Sequence, residues 1–380
     1  MNKQSQTSLR RGTTPQVCFA KVPGSSGQSP LKRTPRSAAF RRLPEPQPGD
    51  SFPGVMSRIA SLRRLFQHGD RPWQGLIIAV SVLVVVLMAA IGWMLWQASS
   101  GARLAFGWGF LVPTANASWD PVNNLFQAWP FIYGTLLTSL FAIIIALPIS
   151  LGIAIFLAEI CPPWLRTPLT WLVELLAAIP SVVYGLWGIF VFLPSVVTPV
   201  GNFLAGTLGN VPVIGGLFTG PMPASGVSRL GASLVLAIMI IPTIAAVTRD
   251  VFLAIPASQR EASLALGATK WETVSQVLIP YSLSGILGAM ILGLGRALGE
   301  TMAVTMVIGN SIEGSPSLLR PGYTMASVIA NEFAEAVSKL HTQALVEVGL
   351  VLFVMTLLLN VLARFLVWRV ARRTPQEARA

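Results

Sequence analysis

Ile286-Leu287-Gly288-Ala289-Met290-Ile291-Leu292-Gly293-Leu294-Gly295-Arg296-Ala297-Leu298-Gly299-Glu300-Thr301-Met302-Ala303-Val304-Thr305-Met306-Val307-Ile308 is an apolar run that carries one arginine and one glutamate. It is long enough to cross a bilayer as a helix. A spacing of four puts Arg296 and Glu300 on one helical face. Charge at membrane depth costs at least roughly 2.5–3.5 kcal/mol per residue on insertion scales, so a chain rarely keeps it without a use. The pair points to an ion or substrate pathway, or else to a permanent ion pair between helices. Gly295 and Gly299 form a small-residue step on the same segment, of the kind that allows close helix contact in lipid. That contact is either with a second chain or within this one.

Composition agrees with a membrane protein. Of 380 residues, 53% are hydrophobic and 11% charged, where a soluble domain carries about 25% charged residues. The net charge of +12 sits mostly in the N-terminal tail and short loops, which argues for membrane topology rather than nucleic acid. Two cysteines, Cys18 and Cys161, give neither a disulfide framework nor a metal signature. His68 and His341 are isolated and read as solvated loop residues. Residues 1–55 are rich in Pro, Ser, Gly and Arg and read as a disordered tail. Either this tail is a real extension or the chain starts at Met56.

Six apolar runs predict an all-α, six-span protein: Gly75–Trp96, Ile132–Leu157, Leu169–Leu193, Ala232–Val247, Ile286–Ile308 and Ala344–Leu366. Pro180 is expected to kink the third, with Ser181 satisfying a freed backbone group. Glu174 reads as a solvated or capping carboxylate near the inner interface. A short surface helix is expected over Ala330–Ala336. Trp73, Trp93, Trp96, Trp108, Trp129 and Trp368 fall near span ends, as an interfacial belt would. Basic residues cluster before the first span and after the last, with Arg166 in the second loop and Arg249, Arg260 and Lys270 in the fourth. Only Arg103, Arg229, Arg320 and Lys339 fall in the odd-numbered loops. This asymmetry predicts both termini in the cytoplasm.

The loop between spans four and five reads Glu261-Ala262-Ser263-Leu264-Ala265-Leu266-Gly267, then Val277-Leu278-Ile279-Pro280. Small residues at 262, 263 and 265 let a helix seat closely against another protein. Gly267 permits a sharp turn after it, and Pro280 suits the start of a following helix. The pattern resembles the "EAA" loop of ATP-binding-cassette importer permeases, a coupling helix that docks on a cytoplasmic ATPase. The resemblance assigns Glu261, Ala262, Ser263, Gly267 and Pro280 to ATPase coupling. No Gly-x-x-x-x-Gly-Lys-Ser/Thr loop occurs in the chain, so ATP hydrolysis is expected from a partner subunit.

Glu174-Leu175-Leu176-Ala177-Ala178-Ile179-Pro180-Ser181-Val182-Val183-Tyr184-Gly185 and the Arg296–Glu300 segment are similar to phosphate-specific permeases. The outer stretches Pro199-Val200-Gly201-Asn202 and Ala330–Ala336 resemble the PstC family in particular. The resemblance covers roughly residues 70–370. It implies a type I, MetI-like fold, with a first helix at 74–97 and a permease domain at 132–366 whose coupling loop is 249–281. Basic segments at 56–73 and 367–380 flank it. It further implies a bacterial inner-membrane location and three partners: a PstA-like sister permease, a PstB-like ATPase dimer and an outer, PstS-like phosphate-binding protein. Arg296 and Glu300 would line the pathway, with no cofactor. A permease for sulfate or molybdate would keep the loop and differ in the span-five charges. A secondary transporter would bury the charge pair but has no reason for the loop.

Overall fold

The computed structural model describes residues 70–112, 119–212, 215–312 and 315–371. The expected tail at 1–55, most of the basic lead (including Arg58, Arg63, Arg64 and His68), Cys18 and residues 372–380 lie outside them. The chain divides at Pro72–Trp73 into two units, and the architecture below is that of the second.

Among the described residues there is no strand, and six helices are long and apolar enough to cross a membrane. The first is α1 (Asp70–Ala98), followed by a short α2 (Ser100–Phe106). The second span is α3 (Trp129–Ile155), which continues through a wide turn at Phe156–Ile160. Then come α4 (Pro163–Ala178) and α5 (Ser181–Trp187), which widens over Gly188–Val197 into α6 (Thr198–Leu208). The fourth span, α7 (Arg229–Leu253), is the central and most buried helix. Its Ser228 cap accepts from Gly231 N at 3.0 Å, and the first turn is pinned where Arg229 donates to the Ser315 and Ser317 carbonyls.

The loop after α7 carries α8 (Ala257–Ala265). The fifth span begins at Lys270, passes through a wide turn at Thr273–Leu278 and continues as α9 (Ile279–Gly299). Then come α10 (Met302–Ile308), α11 (Met325–Glu332) and the last span, α12 (Lys339–Ala371). The main core gathers around α7, with Val235, Leu236, Met239, Ile240 and Ile244 nearly fully buried. The six belt tryptophans are all substantially exposed.

Two spans are interrupted: the third at Pro180, where a kink is expected, and the fifth, which the sequence predicts as continuous. In the third, Pro180 has no N–H and disfavours helical geometry at the residue before it. Ile179 is extended (φ −62°, ψ 130°) and the helix stops at Ala178. The longest uninterrupted apolar helix there is therefore Ser181–Leu208. Register against α7 shows which residues cross its depth. Arg249 meets Glu174, Gly188 lies against Val235, and Leu193 lies against Gly231. Residues 174–193 make the crossing in two halves, and α6 continues past the Arg229 end of α7.

The fifth span is broken in the same way. A side-chain carbon at Gly285 would sit 2.5 Å from Val251 and one at Gly293 2.6 Å from Ile244. Further on, Ser228 N donates to Val307 O at 3.2 Å. Residues 285–308 thus cross the depth of α7, as expected, but not as one helix. Glu300 is extended (φ −70°, ψ 123°) and separates α9 from α10. Helix also extends well before Ile286, because a capping box at Thr269 and Glu272 starts it at Lys270. Pro280 sits in the first turn of α9, as expected, with Lys270–Leu278 preceding it in the same span.

Three smaller expectations are corrected. The outer helix is Met325–Glu332, started by a Thr324–Ser327 capping box and buried at its first turn, not Ala330–Ala336. His341 is buried, 3.2 Å from the Glu332 carboxylate and stacked on Phe126. Tyr184, not Ser181, serves the kink: its hydroxyl donates to Leu176 O at 2.9 Å.

Candidate functional site

The two broken spans meet. Arg296, near the end of α9, donates from Nη1 to Thr243 Oγ1 of α7 at 3.2 Å, and from Nη2 to Ala177 O at the end of α4 at 3.5 Å. Beyond the breaks, Gly185 of α5 packs so closely on α10 that a side-chain carbon there would sit 2.8 Å from Met306 Sδ. α7 is 25 residues long. At 1.5 Å per residue, Thr243 stands roughly 15 Å from its Leu253 end. The guanidinium is therefore near mid-depth. Irregular backbone at that depth is tolerated only where it is buried in protein or lines a cavity.

The four-residue spacing does not give an Arg296–Glu300 ion pair here. The helix ends between them, so the two side chains leave the common face. The Glu300 carboxylate instead accepts from Ala303 N at 3.2 Å and caps the first turn of α10. Arg296 keeps two neutral acceptors, one of them at the outer limit of a hydrogen bond. Both residues are half-buried. The Arg296 guanidinium has donors to spare for an oxyanion.

Gly295 and Gly299 lie beside this site, and an added side-chain carbon at either would meet nothing within 4 Å. Packing within this chain is not their use. Gly285 and Gly293, on the other face, make the contact with α7.

Ion pairs lie nearer the Leu253 end of α7. Arg249, largely buried, reaches Glu174 of α4 at 3.3 Å and Asp250 at 2.7 Å. Glu174 is thus paired rather than simply solvated, while remaining half-exposed. α4 itself buries no residue. Beside a half-buried stripe of Leu165, Leu169, Val173 and Ala177, three polar ties hold it: Arg249 to Glu174, Arg296 to Ala177 O and Arg166 to Ala158 O.

The EAA-like segment folds as α8 and ends in a Schellman turn. Gly267 is left-handed (φ +88°), its N–H bonds Leu264 O, and Ala268 N bonds Ser263 O. Glu261, Ala262 and Ala265 are exposed, and Leu266 is 90% exposed. Ser263 faces inward, its Oγ 3.0 Å from Thr273 Oγ1. Sequence reasoning missed Thr243, Tyr184 and Arg260 as neighbours of these sites. A hydroxyl on an apolar helix or an arginine beside a motif carries no periodic signal.

Six apolar helices, a broken-helix centre at mid-depth and a solvent-facing helix between spans four and five define a transporter's membrane subunit. Residues 150–375 match the family described as binding-protein-dependent transport system inner membrane components, and the chain belongs to that family. It is a multi-pass bacterial inner-membrane permease of an ATP-binding-cassette importer, a class that works with an ATPase and a substrate-binding protein. Three relatives narrow this further, each called phosphate transport system permease protein PstC. That of Xylella fastidiosa is 47% identical over 78% of this chain and 89% of its own length. The Mesorhizobium japonicum protein is 44% identical over 86% and 98%, and that of Haemophilus influenzae 48% over 76% and 89%. Within the larger family the chain belongs to the PstC permeases. A solved bacterial transporter of the polysaccharide alginate is similar at a TM-score of 0.49 with 17% identity, over 82% of this chain and all of that one.

Proposed function

We propose that this chain is one of two permeases forming the pathway of an ATP-driven importer of inorganic phosphate. Its partners in this reading are a PstA-type sister permease, a PstB-type ATPase dimer and a PstS-type outer binding protein. The observation that carries the reading is the guanidinium of Arg296, held at mid-depth by two weak neutral contacts where two broken spans meet.

Arg296 offers phosphate charge-assisted hydrogen bonds that Thr243 and the Ala177 carbonyl give up. Losing the Ala177 contact frees the end of α4, a helix with no fully buried residue. Glu300 keeps the break in span five ordered and places a negative charge one turn away, which limits how tightly the anion is held. Gly295, Gly299 and the exposed Leu292 present a narrow face to the sister permease across the pathway. ATP acts on the partner. Its binding draws the two ATPases together, Glu261, Ala262 and Leu266 on α8 receive that motion, and Gly267 lets the helix end abruptly against span five. Outward opening accepts phosphate from the binding protein, and hydrolysis resets the inward state.

The test is labelled phosphate uptake in cells lacking their own high-affinity permease, complemented by this chain with its cognate partners, with unlabelled sulfate and molybdate in excess. Uptake that appears with the chain and resists both competitors is expected. An assembled complex that takes up no phosphate, or whose uptake sulfate or molybdate abolishes, overturns the substrate.

A further inference from the structure

We propose that Arg260 is the positioning residue that ties the coupling helix to the membrane spans, so that ATPase motion reaches the pathway through its guanidinium. The proposal rests on the reading of α8 as the ATPase-docking helix. Arg260 directly precedes Glu261. Its Nε donates to Glu159 Oε1 at 2.9 Å, Nη1 to Ile255 O at 3.0 Å and Nη2 to Phe252 O at 2.6 Å. Glu159 lies in the wide turn that ends span two, and Phe252 is in the last turn of α7. One side chain therefore holds three elements.

The rest of α8 offers little grip. It buries no residue, and among the described residues its other side-chain bond is Ser263 to Thr273. The Arg260 and Glu159 side chains are each about four-fifths buried, over a cluster that includes Ile155, Ala158, Phe252, Ile255 and Leu278. The chemistry suits a rigid link. A planar, permanently charged fork can engage a carboxylate and two carbonyls at once, where an ammonium would act as a point charge. The carbonyls belong to the C-terminal end of a helix, which favours a cation. Pulling on α8 displaces the inner ends of α3 and α7 together, and α7 carries Thr243 against Arg296. Without Arg260, α8 stays docked but swings on its flanking turns.

The experiment is the ratio of phosphate imported to ATP hydrolysed, in vesicles holding the complete complex with its binding protein. The variants are Arg260→Gln, Arg260→Lys and Glu159→Gln. Arg260→Gln is expected to keep the ATPase bound and binding-protein-stimulated hydrolysis running, while phosphate imported per ATP falls roughly five- to tenfold or more. Arg260→Lys should recover part of the ratio, and Glu159→Gln, which removes a charge but no atom, should lower it less. Import and hydrolysis falling in proportion would mean that Arg260 only stabilises the complex and would overturn the proposal. If the Arg260→Gln complex does not assemble, Glu159→Gln decides: an unchanged ratio rejects the link. A wild-type complex that retains no ATPase would refute the docking reading and, with it, the Arg260 link.

Discussion

Arg296 is held by acceptors that cost little to replace. The Ala177 contact is 3.5 Å and the Thr243 contact 3.2 Å, both to neutral oxygens. A phosphate oxygen is a stronger partner for a guanidinium than either. Arg296→Gln should leave assembly intact and lower the initial rate of phosphate uptake about ten- to a hundredfold, the weight of one charged hydrogen bond. Arg296→Lys keeps the charge but not the fork, and an intermediate rate is expected. Unimpaired uptake in the glutamine variant would remove Arg296 from the pathway. Glu300 separates two roles in one residue. The amide of Glu300→Gln still accepts from Ala303 N, so melting of the purified complex should not change, whereas Glu300→Ala loses the cap at a cost of about 1 kcal/mol. A glutamine variant that melts normally but transports poorly assigns the charge to passage. If both variants transport normally, Glu300 is a cap and nothing more.

Glycines on α9 divide between two faces, and the division predicts two phenotypes. Gly293 abuts Ile244, so Gly293→Ala overpacks the seam between spans four and five and should destabilise this chain by about 1–3 kcal/mol. Gly295→Ala and Gly299→Ala meet no atom of this chain. They should leave its own melting unchanged and reduce the sister permease recovered by copurification. Equal recovery would remove the helix face from the subunit interface. The same element shows what the sequence discloses. Its crossing, 285–308, was legible because an apolar run of bilayer length has one economical fate in lipid. The capping box Thr269-Lys270-Trp271-Glu272 marks the helix start, but hydropathy alone hides it among polar residues. The break at Pro180 is written in the proline. The break at Glu300 is not, since Gly299-Glu300-Thr301 is compatible with continued helix and only tertiary contacts with α5 and α7 decide against it. Arg296 and Glu300 stood out as charges in an apolar run. Their partners did not, because Thr243, Ala177 and Ala303 reach them through space and through backbone atoms that a sequence does not single out.

Viewed whole, the molecule has two functional ends joined by α7, the helix that packs on both broken spans. One end carries α8 and the Arg260 link, the other the outer loops in which Arg229 holds the carbonyls of Ser315 and Ser317 and the Trp119 indole donates to Glu332 at 2.6 Å. The apolar exterior of α1 and α12 suits lipid, and a pathway shared with a second permease accounts for a polar centre that this chain leaves half-open. Orientation follows from charge rather than from packing, because basic residues resist transfer across the membrane while helix contacts are the same either way up. On this ground the loops that carry Arg166, Arg249 and Arg260 are expected inside, and α8 with them. Single cysteines at Leu266 and Val337, both at least 90% exposed, read this directly in a Cys18→Ser background, where the remaining native Cys161 is buried. In intact cells opened only at the outer membrane, an impermeant maleimide should label Val337→Cys at once and Leu266→Cys only after the inner membrane is permeabilised. The reverse pattern would place α8 outside, beyond reach of any cytoplasmic ATPase, and both the coupling helix and the Arg260 link would lose their function together.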